Sequence, residues 1–326
     1  MTGTIGMNRS GTHLGPRRRS LSARVFACAL LALLASSAIA AAQTATPRTF
    51  TTPEEAVKAL FETVKAGNVE ALLAIFGPEG RELIASSDPA TARMNRQVFT
   101  VAVREQWHLE DATPTRKTLV VGNEDWPFPV PLVKEANGWR FDTAAGAEEV
   151  LARRIGRNEL DAIATSRAYV TAQQRYAQQG HDGKPAGLHA TKFQSDPDKQ
   201  NGLYWPTARG QARSPLGDLV AQAAEEGRPV GGDRAQPTPL HGYYFKILTR
   251  QGAAAAGGAK NYIVKGEMSG GFALVAWPAQ YDATGVMTFI VNQDGTVRER
   301  DLGPETDAIA RKMTVYNPDA SWRQVP

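Results

Sequence analysis

Between residues 242 and 302 the apolar positions recur at the spacing of antiparallel strands. Tyr243, Phe245 and Ile247 fall on one face of an extended chain and Tyr244, Lys246 and Leu248 on the other. Residues 272–277 are apolar on both faces, as are residues 286–291 apart from Thr288, which predicts two central strands covered on both sides. Pro278 has no backbone donor and should end the first of them. Asp294-Gly295 tolerates the positive φ of a tight turn and leads toward a strand starting near Thr296. The stretch QGAAAAGGAK, residues 251–260, is too small and glycine-rich to pack as a strand and reads as a mobile loop joining strands.

Upstream the period changes. Thr52 before Pro53, Glu54 and Glu55 is a helix start, with a capping hydroxyl, proline at the first helical position and acids where the helix dipole favours them. Val57, Leu60, Phe61 and Val64 make the apolar stripe of that helix, and Gly67-Asn68 separates it from a second one ending before Gly77-Pro78. Residues 79–116 read as helical, with a break at 86–89. Strand signals follow at 118–121, 130–135 and 139–141, with Asn137-Gly138 as the last turn. Residues 43–146 are therefore expected to form one α+β unit. A second, residues 147–326, begins with the longest helical pattern, residues 147–179. There Ile155, Ala162, Tyr169 and Tyr176 lie seven apart, flanked by Leu151, Ile163 and Val170. Alanine and tyrosine at those positions point to packing on the strands after Gly242 and away from a coiled coil. Residues 180–183 end the helix. A loop-rich region to about 236 is interrupted by a short helix, residues 216–226, that Ser214-Pro215 can start.

The amino-terminal 42 residues change the reading of composition. Arg17, Arg18, Arg19 and Arg24 precede an apolar run over residues 25–34 and small residues with cleavage contexts near Ala40 or Ala42, the pattern of a secretory signal peptide. The expected location is periplasmic or secreted. Arg18-Arg19-Ser20-Leu21 matches a twin-arginine signal only in part, so the general secretory route is expected. No later segment approaches the roughly 18 apolar residues of a membrane span. The sole cysteine, Cys28, lies inside the signal, so a processed chain has no thiol for disulfides, nucleophilic catalysis or thiolate metal sites. The whole chain carries 37 Lys and Arg against 33 Asp and Glu; without the five signal arginines the balance is 32 against 33. A near-neutral chain has no general electrostatic reason to bind nucleic acid.

Candidate chemistry is sparse. His108, His181, His189 and His241 sit in no HExxH pattern and beside no carboxylate at a ligand spacing, so no metal and no cofactor is expected. Residues 196–202 superficially resemble a calcium loop, but the glycine falls one place late and Thr207 stands where the closing glutamate belongs; a solvated turn is expected. No GxSxG, GxxxxGK[ST] or GxGxxG is present, and no catalytic residue is assigned. Asp198, Asp282 and Asp301 are carboxylates that could converge only in three dimensions. The candidate contact residues are Tyr204 and Trp205, in a segment rich in glycine and proline, with His241, Tyr243 and Tyr244 at the start of the sheet. Exposed aromatics suit sugars, peptides or protein partners, while buried ones would pin the loop to the sheet. Residues 126–131, WPFPVP, pose the same choice in the first unit and read as a stiff structural edge.

Three resemblances add to this. TPEEAVKALFETVKAGNVEALLAIFGPEG with VPLVKEANGWRFD resembles cone-shaped domains of the nuclear-transport-factor-2-like or cystatin-like type, which implies helices packed on a curved sheet. The long helix followed by HGYYFKIL and GVMTFIVNQDGTVR resembles the soluble part of type IV pilins and pseudopilins. This chain, however, carries a cleavable signal where a pilin keeps an apolar helix for assembly. NGLYWP, SPLGDLVAQA, HGYYFKILTRQG, GFALVAWPAQYDATGVMTFIVNQDGTV and DLG, in that order, resemble the bacterial secreted family called domain of unknown function 2950. That resemblance brings no activity with it. The expected function is a non-catalytic envelope-associated binding module, with an envelope protein or polysaccharide as partner. The alternative is a cofactor-free hydrolase of envelope polymers, its carboxylates and a histidine gathered between the two units.

Overall fold

The computed structural model describes residues 46–84, 89–208, 210–225 and 238–326, so the signal-peptide segment and the break expected at Ser86-Ser87-Asp88 lie outside the described residues. The chain divides into two compact units, one up to Val150 and one from Leu151 onward. The fold is α+β. Among the described residues no helix is long and apolar enough to cross a membrane.

In the first unit α1 (Pro53–Ala66) begins on Thr52, whose hydroxyl accepts from the Glu55 N–H at 3.2 Å, while the Glu55 carboxylate accepts from the Thr51 N–H at 3.2 Å. It ends on Gly67 at φ 67°, and Asn68 then caps α2 (Val69–Phe76). Next come α3 (Gly80–Ile84) and α4 (Pro89–Glu105). The helical reading fails beyond α4, because residues 107–113 form β1 (Trp107–Thr113). Half-buried Trp107 and Leu109 alternate with exposed His108 and Glu110, a period of two that pairs with β2 (Arg116–Val121). With β3 (Trp126–Pro127), β4 (Leu132–Glu135) and β5 (Gly138–Phe141) these make an antiparallel sheet ordered β1-β2-β4-β5, β3 pairing with β2. Leu60, Phe76, Phe99, Phe128 and Phe141 form the centre of this core.

Helix α5 (Thr143–Ala177) runs into the second unit, which continues with α6 (Gly217–Glu225), β6 (Tyr243–Leu248), β7 (Arg250–Gln251), β8 (Lys260–Asn261), β9 (Ile263–Val264) and β10 (Glu267–Met268). The chain closes with β11 (Ala273–Pro278), β12 (Met287–Asn292), β13 (Arg298–Asp301), α7 (Thr306–Lys312), β14 (Val315–Tyr316) and β15 (Arg323–Gln324). The main sheet is antiparallel, ordered β15-β13-β12-β11-β6, so the two doubly apolar runs are its central strands. Every residue of β11 is buried, and Pro278 is its last. Phe272 meets Tyr169 of α5 edge to face at 5.7 Å, while Trp277, on the alternate face, donates to Asp307 of α7 at 2.9 Å. Helices thus cover both faces of this strand.

The glycine-rich segment between β7 and β8 is a set of turns pinned from inside. Gln251 is 3% exposed and donates to the carbonyls of Ala256 (2.9 Å) and Gly258 (2.6 Å), and Ala255 is buried. A polar side chain turned inward supplies the anchor that the small residues lack.

Candidate functional site

Toward the carboxyl-terminal end of α5 the buried face carries three polar residues, Thr165, Ser166 and Gln173. Ala162, Ser166, Tyr169, Gln173 and Tyr176 are all buried, spaced alternately four and three apart as one helix face requires. Ser166 donates to the Ala162 carbonyl at 2.8 Å, inside its own helix. Gln173 reaches outside the helix. Its amide donates to the Ala190 carbonyl (2.8 Å) and to the Tyr169 hydroxyl (3.1 Å), and its carbonyl accepts from the Ala190 N–H (2.9 Å). The residues around Ala190 are thereby fixed along the helix with backbone-like pairing.

Between that segment and the helix end lies a cavity of about 210 Å³, with Tyr176, His181, Lys184, His189, Lys192 and Glu267 in its wall. His181 stacks on Tyr176 with centroids 4.0 Å apart and planes at 21°, and meets Trp205 edge-on at 5.6 Å. Its Nε2 lies 2.9 Å from the Tyr176 carbonyl, which can only accept, so the proton is on that nitrogen. Nδ1 faces the Gln200 side chain at 3.3 Å. The Tyr176 hydroxyl donates to the Gln200 carbonyl at 2.9 Å. Burial, reinforced by the charges of Asp182 and Glu267, pushes its pKa up to about 12, which keeps it a neutral donor at physiological pH.

The charges around the cavity are answered locally. Lys184 pairs with Glu267 at 2.9 Å and Lys192 with Asp196 at 2.7 Å, while the Asp182 carboxylate accepts from the Gln200 N–H at 3.0 and 3.1 Å. The His189 ring packs edge-on against Phe272 at 4.7 Å, and its Nδ1 is buried with no hydrogen-bond partner among the described residues. Burial holds this imidazole below its ordinary value, the Gln173 backbone offsetting part of the shift.

The five candidate contact residues separate into two places. Tyr204 and Trp205 are half-buried and do not line the cavity, although Trp205 meets His181 of its wall. The Tyr204 N–H donates to the Phe193 carbonyl and its carbonyl accepts from the Ser195 N–H, both at 2.8 Å. His241, at φ 49°, has Nδ1 3.2 Å from Asp161. Asp161 and Tyr176 are fifteen residues apart on α5, a separation of about 22 Å along the axis. Tyr243 is a core residue: fully buried, its hydroxyl donates to the Met287 carbonyl at 2.9 Å and its ring packs on Phe289 at 5.8 Å. Tyr244 is half-buried between Trp277 (5.6 Å) and the Arg311 guanidinium (5.2 Å).

His181 and His189, read singly in the sequence, are brought to one cavity; His108 belongs to the first unit, 3.4 Å from Glu110. Among the described residues no three His, Asp or Glu side chains are grouped as a metal site. In residues 196–202 the Asp196 carboxylate accepts from the Asn201 amide at 2.8 Å and the Asp196 N–H donates back at 3.0 Å, a self-closed turn.

Fold and site together define an α+β protein of two units with a polar, aromatic-walled cavity at the end of a long helix. The chain belongs to the family described as protein of unknown function DUF2950, which it matches over residues 47–325. No curated protein and no solved structure matches it, so the likeness to cone-shaped domains and to pilin soluble domains rests on sequence patterning.

Proposed function

We propose that this chain is a non-catalytic binding module of the bacterial envelope, periplasmic or secreted, that engages an envelope protein or polysaccharide through the cavity at the end of α5. The observation that carries the reading is a polar cavity with the stacked Tyr176 and His181 rings in its wall and Trp205 set edge-on against His181 outside it. Few precisely placed polar groups beside an apolar wall are what small-ligand recognition uses. Apart from His189, the basic groups of the wall are already engaged. Both His181 nitrogens face partners, and Lys184 and Lys192 are held by carboxylates. The signal-like residues 1–42 support the location.

Retention on immobilised envelope fractions tests the reading, comparing the full chain with a Tyr204→Ala/Trp205→Ala variant whose circular dichroism matches the parent. Retention of the parent and loss in the variant is expected. Equal retention of both, or turnover of cell-wall polymer by the parent, overturns the proposal.

A further inference from the structure

We infer that the cavity at the end of α5 takes one uncharged sugar ring, the terminal residue of an envelope glycan. This rests on the binding reading above and adds the chemical class of the ligand.

Size sets the first limit. About 210 Å³ falls short of the roughly 300–1,000 Å³ that encloses a drug-sized molecule. One six-membered ring with its substituents suits that space, and the rest of a chain would leave through its open side. Charge sets the second. Lys184 and Lys192 each have a carboxylate partner at 2.9 Å and 2.7 Å, and Asp182 and Glu267 stand in the same wall, so an entering phosphate or carboxylate meets lysines already neutralised and carboxylates that repel it. An uncharged ligand leaves both pairs intact.

The chemistry of the wall sets the third. Gln179 and Thr191 are exposed at the cavity, and Asn201 and Lys192 stand beside them, so amide, hydroxyl and ammonium groups mix donors with acceptors. A sugar hydroxyl both donates and accepts and can use such a mixture in either sense. Facing them is the ring stack of Tyr176 and His181, backed by Trp205. Half-buried His181, with Pro185 and Leu188, gives the wall an apolar share next to polar groups, which matches the C–H face and hydroxyl rim of a pyranose. The wall is also held rigidly, because Gln173 clamps both backbone groups of Ala190, next to Thr191. Preformed walls lower the ordering cost of a weak ligand.

The test is calorimetric and NMR titration of the full chain with glucose, galactose, mannose, rhamnose and N-acetylglucosamine, and with inorganic phosphate and alanyl-alanine as charged probes. Thr191→Trp fills the cavity from an exposed position, and Trp205→Ala removes the ring that holds His181 edge-on from outside the lining; each is checked for parental circular dichroism. Saturable binding of at least one sugar is expected, weakened tenfold or more by Thr191→Trp and about three- to tenfold by Trp205→Ala, with no binding of phosphate or alanyl-alanine. Sugar binding unchanged in Thr191→Trp overturns the inference, as does preference for either charged probe. If no sugar binds, while envelope material is captured by the parent and lost in Thr191→Trp, the ligand class falls and the binding reading stands. If capture fails as well, both fall.

Discussion

Replacing Gln173 with leucine keeps a side chain of similar bulk in the buried stripe of α5 but removes every polar atom that holds the Ala190 segment. Gln173 is fully buried and Ala190 is 2% exposed, so water cannot take over the lost bonds. The Ala190 N–H and carbonyl lose partners at 2.9 and 2.8 Å. Tyr169 keeps the Ala273 carbonyl as its acceptor at 3.2 Å. Each stranded buried group costs about 1–3 kcal/mol, and leucine burial returns part of it, giving a net loss of about 2–4 kcal/mol. In a unit of this size that lowers the melting temperature by roughly 5–15 °C. Scanning calorimetry of parent and variant reads it directly, and amide hydrogen exchange should show faster exchange at residues 188–192. Gln173→Glu separates the bonds, since the carboxylate still accepts from the Ala190 N–H but donates only when protonated. Its deficit should shrink as pH falls through the raised pKa of a buried carboxyl. A Gln173→Leu variant within about 0.5 kcal/mol of the parent would refute the clamp, because that is the scatter of an ordinary surface change.

Other expectations follow from individual contacts. His189→Phe removes a buried Nδ1 without a partner and keeps the edge-on contact with Phe272 but gives up the ring's hydrogen bond to the Gln173 backbone, so stability at pH 7 should change by less than about 1 kcal/mol. The folded pKa of His189 lies below the ordinary 6.5, so between the two values the unfolded chain binds the extra proton and stability falls as pH drops through that window. Urea titrations at several pH values should show this slope in the parent and a flatter one in His189→Phe. A methyl group on Gly285 would run into the ring and hydroxyl of Tyr243, so Gly285→Ala should cost about 1–3 kcal/mol by denaturant unfolding; a neutral result would mean that Tyr243 is not packed there. Asp307 is held below the usual carboxylate range by Arg311 and by the Trp277 indole N–H. The stabilisation this gives is present above the ordinary 3.8 and disappears as pH falls through the folded value, and Asp307→Asn should remove that acid-side dependence.

The central sheet was readable in the chain because its signals are redundant. Two runs apolar on both faces can only be central strands, and Pro278 and Gly295 end them by backbone chemistry alone. The helix start at Thr52 was equally plain, and Gly67-Asn68 was legible as the break at which Asn68 caps the next helix. Residues 107–113 were misread because Trp107 and Leu109 next to a real helix extend its apolar pattern, and only pairing with β2 reveals the period of two. The cavity was hidden for a different reason. Its clamp, Gln173, is polar and sits in an apolar stripe, where a sequence reading counts it as an exposed position. His181, His189 and Glu267 come together only because the chain turns back after α5 and β10 closes the far side. Spacing along the sequence carries no trace of that. The aromatic pair was visible, but not that Trp205 meets His181 and Tyr243 serves the core.

Hydrogen–deuterium exchange of the full chain, with and without a digest of purified envelope glycan, asks most directly whether this cavity is where a partner is held. Protection confined to residues 176–205 and the strand around Glu267, and absent in Thr191→Trp, is the expected result. Protection at residues 241–248 alone, or an unchanged pattern with material that the protein demonstrably captures, would contradict it.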